Sequence, residues 1–285
     1  GSVRIGIHTS IAGDISESLE SARKLGCNAL QIFSGSPRMW PRPGMRIPEA
    51  DAVRFRARRA ELGLGPLVIH ANYLIKLASV DSMMRVRAIH AFHDELVRAT
   101  ALGADFLVVH PGAALGANSD DAVCAVAQAL RQAARGVQLA ANFADMTRGG
   151  VRVLLENTSG MGSCIGMRFA ELRAILDQTR ELPMGVCLDT AHAFEAGHDL
   201  RSEEGLEQML ADLDGSVGLA RVPIIHMNDS KTPLGSRVDR HQNIGQGEIG
   251  REAFGRILNH PRLMAGGPGG LSGRAFILET PIDAP

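Results

Sequence analysis

The residues best suited to chemistry lie in Ile224-Ile225-His226-Met227-Asn228-Asp229-Ser230 and in the polar stretch just beyond it, at 235–245. An apolar run ends in His226, and the loop that follows carries Asp239-Arg240-His241 among further Gly and Arg residues. Imidazole and carboxylate groups in such a loop suit a divalent metal held beside a phosphate. Other apolar runs end the same way, with His70, His110, Glu156, the Asp189-x-x-His192 pair and Glu279 at their polar ends. With His226, Asp239 and His241 these make nine candidate ligands, five His and four carboxylates. Buried charge is costly unless it is paired or bound to metal, so repeated termination in such residues points to a shared cation site.

Nine donors exceed the roughly four that one zinc takes, and they suit three ions with one bridging carboxylate. Three divalent cations against four carboxylates leave a net charge of about +2, which would draw a phosphodiester into the site. Ligation rich in imidazole and free of thiolate favours Zn²⁺, with Mn²⁺ admissible at one position.

The elements that must position these residues follow from hydropathy. Strand-like apolar runs at 4–9, 29–34, 67–72, 106–111, 151–157, 185–192, 222–229 and 275–280 alternate with amphipathic stretches near 14–25, 49–62, 82–102, 119–140, 168–180, 202–213 and 250–259. Eight such units predict α/β architecture, a single (β/α)₈ TIM barrel, whose C-terminal strand ends share one face. The whole chain, 1–285, is expected to be one domain. Residues 142–150 and the Gly-rich 265–273 are expected to be loop elaborations, the second a mobile one. Only five residues follow the last strand run, so the eighth helix is expected to be absent or truncated, and Gly1-Ser2 reads as a cloning remnant.

Composition narrows the class. Of 285 residues, 45% are hydrophobic and 21% charged, which describes a soluble α/β protein and not a disordered chain. A formal charge of −1 gives no global basic field, so any polyanion must be held locally. Cys27, Cys124, Cys164 and Cys187 lack C-x-x-C spacing and suit free thiols in a reducing compartment. No apolar run approaches the roughly 18 residues of a membrane span, so a cytoplasmic, nucleoid-associated protein without membrane contact is expected. A targeting segment outside the given sequence stays open.

Five blocks now carry a resemblance: HANYLIKL (70–77), LLENTSGMGS (154–163), CLDTAHAFEAGHD (187–199), HMNDSKTPLGSRVDRHQNIGQGEIG (226–250) and ILET (277–280). In these blocks the chain resembles the endonuclease IV family of apurinic/apyrimidinic (AP) endonucleases, zinc enzymes built on a (β/α)₈ barrel. The resemblance implies that His70, His110 and Glu156 hold one zinc, that Glu156, Asp189, His226 and Glu279 hold a second, and that His192, Asp239 and His241 hold a third. Glu156 and Glu279 are then the catalytic carboxylates, with Glu156 as the bridge. The implied reaction is hydrolysis of the phosphodiester 5′ to an abasic deoxyribose in double-stranded DNA, leaving a 3′-hydroxyl and a 5′-deoxyribose phosphate. Removal of 3′-blocking groups is implied as well.

Such a reaction needs the abasic nucleotide turned out of the stack. By resemblance Arg38, Tyr73 and Leu74 enter the base stack. Lys76, Arg237 and Arg240 lie in the same loops and are assigned to phosphates, as Arg42, Arg46 and Lys231 could also be. His90, His93, His198 and His260 are read as packing or solvent residues, and His8 as a neighbour of the site. A monomer is expected. A metal-bearing sugar isomerase or epimerase shares the scaffold, since fold alone does not fix chemistry. A damage-binding protein that does not cut is the remaining alternative.

Overall fold

The computed structural model describes residues 3–264 and 274–281. Along the chain the strands are β1 (Arg4–His8), β2 (Ala29–Phe33), β3 (Leu67–His70), β4 (Phe106–Val109), β5 (Arg152–Glu156), β6 (Met184–Asp189), β7 (Ile224–His226), the short β8 (Asp229–Ser230) and β9 (His241–Gln242), and β10 (Ala275–Leu278). The helices are α1 (Glu17–Lys24), α2 (Glu49–Leu62), α3 (Ser82–Ala101), α4 (Ser119–Ala133), α5 (Phe169–Gln178), α6 (Thr190–Glu195), α7 (Glu203–Ser216), α8 (Arg251–Asn259) and α9 (Pro261–Met264). Strands β1 to β7 and β10 close into a parallel barrel in the order β1-β10-β7-β6-β5-β4-β3-β2, the TIM-barrel architecture expected. The Gly-rich 265–273 stretch, Gly1-Ser2 and the residues where a final helix would begin lie outside the described residues.

Apolar faces of the helices pack on the outside of the barrel around Leu19, Phe55, Phe92, Leu130, Phe169, Leu210 and Phe254. A separate inner cluster holds Ala29, Val68, Phe106, Val108, Leu154, Cys187, Ile224, Ala275 and Ile277. Side chains of a strand alternate between faces, so residues two positions on point the same way. Two positions beyond seven of these inner residues stand Gln31, His70, His110, Glu156, Asp189, His226 and Glu279. The polar site is thus the next layer of the barrel interior, laid on an apolar floor.

Several boundaries differ from the sequence expectation, each for a local reason. The sixth strand stops at Asp189 and not at His192, because the Asp189 carboxylate accepts the His192 amide at 2.9 Å and caps α6. His192 is therefore a helical residue. The seventh strand ends at His226, and Asp229-Ser230 pair antiparallel with His241-Gln242 instead of extending the barrel. Helix α1 starts at Glu17, since the Asp14 side chain accepts from Ser16 N at 2.9 Å and holds a turn there. Helix α4 ends at Ala133 and not near 140, and Gly136 follows with φ 74, a left-handed turn suited to glycine. The 142–150 segment is more than an elaboration: Phe143 and Met146 pack against the inner cluster from below. Buried Arg152 donates to Phe143 O at 3.0 Å and to Gly150 O at 3.2 Å, fixing that floor.

Candidate metal centre

Glu156 stands at the middle of the polar layer, 1% exposed. Its Oε2 lies 2.6 Å from His110 Nε2 and 3.2 Å from His70 Nε2, while its Oε1 lies 2.9 Å from His226 Nδ1. One carboxylate thus faces two sets of imidazoles with different oxygens. His226 Nδ1 also lies 3.0 Å from Glu279 Oε1 and 4.0 Å from Asp189 Oδ2. Strand register produces this closeness, because Asp189 is the Cα partner of His226 across β6 and β7.

Among the described residues, potential donor atoms fall into three overlapping groups, each within 4.8 Å: His70, His110 and Glu156; Glu156, Asp189, His226 and Glu279; and Asp189, His192 and His241. The first two match the sets drawn from the sequence. The third shares His192 and His241 with the set drawn from the sequence and adds Asp189, whose Oδ2 reaches His241 Nε2 at 3.5 Å. Asp239 is close by, with Oδ1 3.1 Å from His192 Nε2 and 3.7 Å from His241 Nε2.

The histidines are held by their other ring nitrogens. His70 Nδ1 donates to Ala71 O at 2.8 Å and His192 Nδ1 to Asn157 O at 2.7 Å, which leaves each Nε2 free as a donor to metal. His226 is reversed: its Nε2 donates to Gln31 Oε1 at 2.6 Å, so Nδ1 faces the carboxylates. His192 Nε2 and His241 Nε2 are buried without a hydrogen-bond partner. A buried nitrogen left unsatisfied among carboxylates is what a ligand without its cation looks like, so the residues fit divalent ions.

Charge agrees with this. Burial works against ionising Glu156, but His110 and His226 hold its carboxyl well below the usual range. Burial also disfavours charge on His241, yet Asp189 and Glu279 raise it to about 9. His8, by contrast, is lowered to about 4, chiefly by burial, and its neutral ring accepts from Gln31 Nε2 at 3.0 Å.

A cavity of about 380 Å³ opens over these groups, with Tyr73 and Arg240 on its wall. Tyr73 packs edge-on against Phe33, ring centroids 5.5 Å apart, and remains 47% exposed. Arg38, Lys76, Arg237 and Arg240 are exposed, and Leu74 is half-buried. Asn72 Nδ2 donates to Ser36 O and Met39 O at 2.8 and 2.9 Å, tying the Tyr73 loop to the Arg38 loop. Arg46 is engaged elsewhere, paired with Asp94 at 2.7 Å. His93 donates to Ala133 O at 2.8 Å, and His198 stacks on Phe169, both away from the site.

Some supporting residues escaped the sequence reading. Gln31 and Asn228 both donate to Glu279, at 2.7 and 3.2 Å. Asn228 also reaches Asp189 Oδ2 at 3.0 Å, and Asn157 Oδ1 accepts from Asp189 N at 2.7 Å. Buried Glu195 accepts from Ser230 Oγ at 2.6 Å, and its main-chain carbonyl accepts from Arg237 N at 3.0 Å, which anchors the loop bearing Asp239. Burial raises its carboxyl to about 7. The strand period could have found Gln31, two positions beyond Ala29; nothing comparable marks Glu195.

Known proteins bear on this geometry. Residues 19–283 match the family described as Xylose isomerase-like TIM barrel. A probable endonuclease 4 of Solibacter usitatus is 44% identical over 287 aligned positions, covering 99% of this chain and 92% of the relative. The crystal structure of endonuclease IV from Thermus thermophilus superimposes with a TM-score of 0.81 at 39% identity, over 98% of this chain and 93% of that one. A 3-keto-D-glucoside 4-epimerase from E. coli shares the fold, with a TM-score of 0.63 at 15% identity over 99% of this chain and 94% of that one.

Proposed function

Because the chain belongs to the endonuclease IV family and is a DNA-repair AP endonuclease, we propose that it hydrolyses the phosphodiester 5′ to an abasic deoxyribose in double-stranded DNA. The products are a 3′-hydroxyl and a 5′-deoxyribose phosphate, and the same site cleans 3′-blocked ends. The observation that carries this reading is the Glu156 carboxylate, which belongs to two clusters of donors at once and lines the cavity.

We assign the ligands as His70, His110 and Glu156; Glu156, Asp189, His226 and Glu279; and His192, Asp239 and His241, with Asp189 in reach of the last set. Three Zn²⁺ ions, with Mn²⁺ admissible at one position, would supply an activated water at neutral pH and charge to neutralise the leaving oxygen. Glu156 and Glu279 act as the catalytic carboxylates. Glu156 is buried and Glu279 half-buried; ionised, they fix where positive charge is held, and Gln31 and Asn228 fix Glu279 in turn. Arg38, Tyr73 and Leu74 enter the base stack and keep the abasic nucleotide turned outward, which a recessed site requires. Lys76, Arg237 and Arg240 bind phosphates and set the register of the duplex. The protein acts as a cytoplasmic, nucleoid-associated monomer. Among the described residues no helix is long and apolar enough to cross a membrane.

Likeness to sugar epimerases extends to the fold alone, at 15% identity. A duplex with one abasic analogue should be nicked on its 5′ side without added Mg²⁺. Ketose conversion without nicking would put the protein among the isomerases, and tight abasic binding without cleavage would make it a binding protein.

A further inference from the structure

The loops at the C-terminal face of the barrel, where the cavity opens, differ in charge from one to the next. The loop after β2 carries Arg38, Arg42 and Arg46, and that after β7 carries Lys231, Arg237 and Arg240. Residues 111–119 and 157–167, which follow β4 and β5, contain no Asp, Glu, Lys or Arg. These two uncharged loops are fastened to each other. Ala113 and Cys164 form an antiparallel bridge, Ala114 N donates to Ser163 O at 2.8 Å, and Ile165 N donates to Gly112 O at 2.9 Å.

At the tip of this ridge Ala117 N donates to Ala114 O at 3.0 Å, closing a tight turn. Both central residues have positive φ, Leu115 at 48° and Gly116 at 91°. A turn of that kind prefers Asn-Gly, because the left-handed backbone presses a Cβ against the following carbonyl. Leu115 occupies the Asn position and is 67% exposed, so little packing within the protein offsets the strain. Met161, on the fastened loop, is 49% exposed. A strained residue held on the functional face points to use of its side chain there.

We infer that Leu115, supported by Met161, is a specificity-determining contact to damaged DNA that packs on deoxyribose and base edges beside the lesion. This rests on the abasic-DNA reading above. Neither loop has a cation for a phosphate, and apolar side chains that reach DNA do so against sugars and between base steps. β4 is hydrogen-bonded to β3, so the ridge continues the rim from the Tyr73 loop.

The test uses the metal-loaded protein and a duplex with one tetrahydrofuran abasic analogue, comparing wild type, Leu115→Asn and Leu115→Met. Leu115→Asn should raise KM for nicking about tenfold, with kcat within about twofold. Its Tm should be unchanged or about 1–3 °C higher, since the turn is relieved. Leu115→Met should retain a KM near wild type. The salt dependence of kcat/KM should match wild type in both, whereas Arg237→Ala should flatten it. A Leu115→Asn enzyme with unchanged KM, or one that loses activity only together with Tm or bound metal, overturns the inference while leaving the nuclease reading intact. Failure of wild type to nick the duplex removes the nuclease reading and this inference with it.

Discussion

Gln31 accepts a hydrogen bond from His226 Nε2 at 2.6 Å, and this one contact decides which ring nitrogen faces the metal site. The same amide donates to Glu279 Oε2 at 2.7 Å, so a neutral side chain orients one imidazole and one carboxylate together. Gln31→Leu is expected to weaken metal binding about 10- to 100-fold, measured by competition with a chelator. Unchanged affinity would reduce Gln31 to a space-filling residue.

Metal uptake should depend on pH. Burial disfavours charge on His192 and His241, but Asp189 and neighbouring carboxylates raise both, His241 to about 9. In the metal-free protein their ion pairs therefore stabilise the fold fully below the ordinary histidine value of 6.5, and for His241 that contribution is lost as pH rises through about 9. Metal needs the neutral rings, so loading must release protons. Apparent affinity should climb between about pH 6 and 9, with acidification on zinc addition in weak buffer. A flat profile would mean that the rings are neutral before metal arrives.

Asp229 is a structural anchor inside a motif that otherwise reads as catalytic. Its Oδ1 accepts from Ser230 N and Ile249 N at 2.8 and 2.9 Å, and its Oδ2 from Gly245 N and Gly247 N at 3.0 and 3.1 Å. A Cβ on Gly247 would clash with the backbone oxygen of Ser230, so only glycine lets that loop close over the carboxylate. Asp229→Asn should cost about 2–4 kcal/mol in urea unfolding, because an amide nitrogen would then meet backbone N–H donors. A loss under about 0.5 kcal/mol would show that the loop is held by other contacts.

Two loops assigned to the base stack rest on one buried ion pair. Arg98 NH2 lies 3.2 Å from Glu95 Oε1, which also accepts from Asn72 N at 3.2 Å, while Arg98 donates to Met45 O at 3.3 Å. Arg98→Met should destabilise the protein by about 3–5 kcal/mol by leaving the carboxylate unpaired, and Glu95→Leu/Arg98→Met should recover part of it. Equal stability of the single and double variants would deny the coupling. At temperatures where both remain folded, each should bind abasic duplex more weakly, because the Arg38 and Tyr73 loops lose their shared support.

Much of this was legible from strand ends. His70, His110, Glu156, Asp189, His226 and Glu279 keep the two-residue period of the inner cluster, so polar type and phase coincide at each strand end. Gln31 keeps the same phase but is an uncharged amide, and residue type alone does not mark it as part of a metal site. His192 stands on α6, Asp239 in a loop and His241 on the two-residue β9 outside the barrel, where the period of the barrel strands does not apply; Asp-x-x-His and Asp-x-His spacing revealed them. Tertiary pairing explains the rest. Glu95 and Arg98 sit on an ordinary amphipathic helix, and Glu195 follows the metal motif, so their burial depends on loops that arrive from elsewhere in the chain. The 142–150 segment reads in sequence as a loop elaboration because its apolar partners lie inside the barrel.

If the ligand assignment holds, nine side chains grip three cations around Glu156. Anomalous diffraction at the zinc edge from crystals grown with zinc tests it most directly. Three peaks are predicted, two of them sharing Glu156 and the third beside His192, Asp239 and His241, with Glu156→Gln losing the shared pair. A single peak, or peaks with no contact to Glu156, would rule out a three-metal site built on that carboxylate.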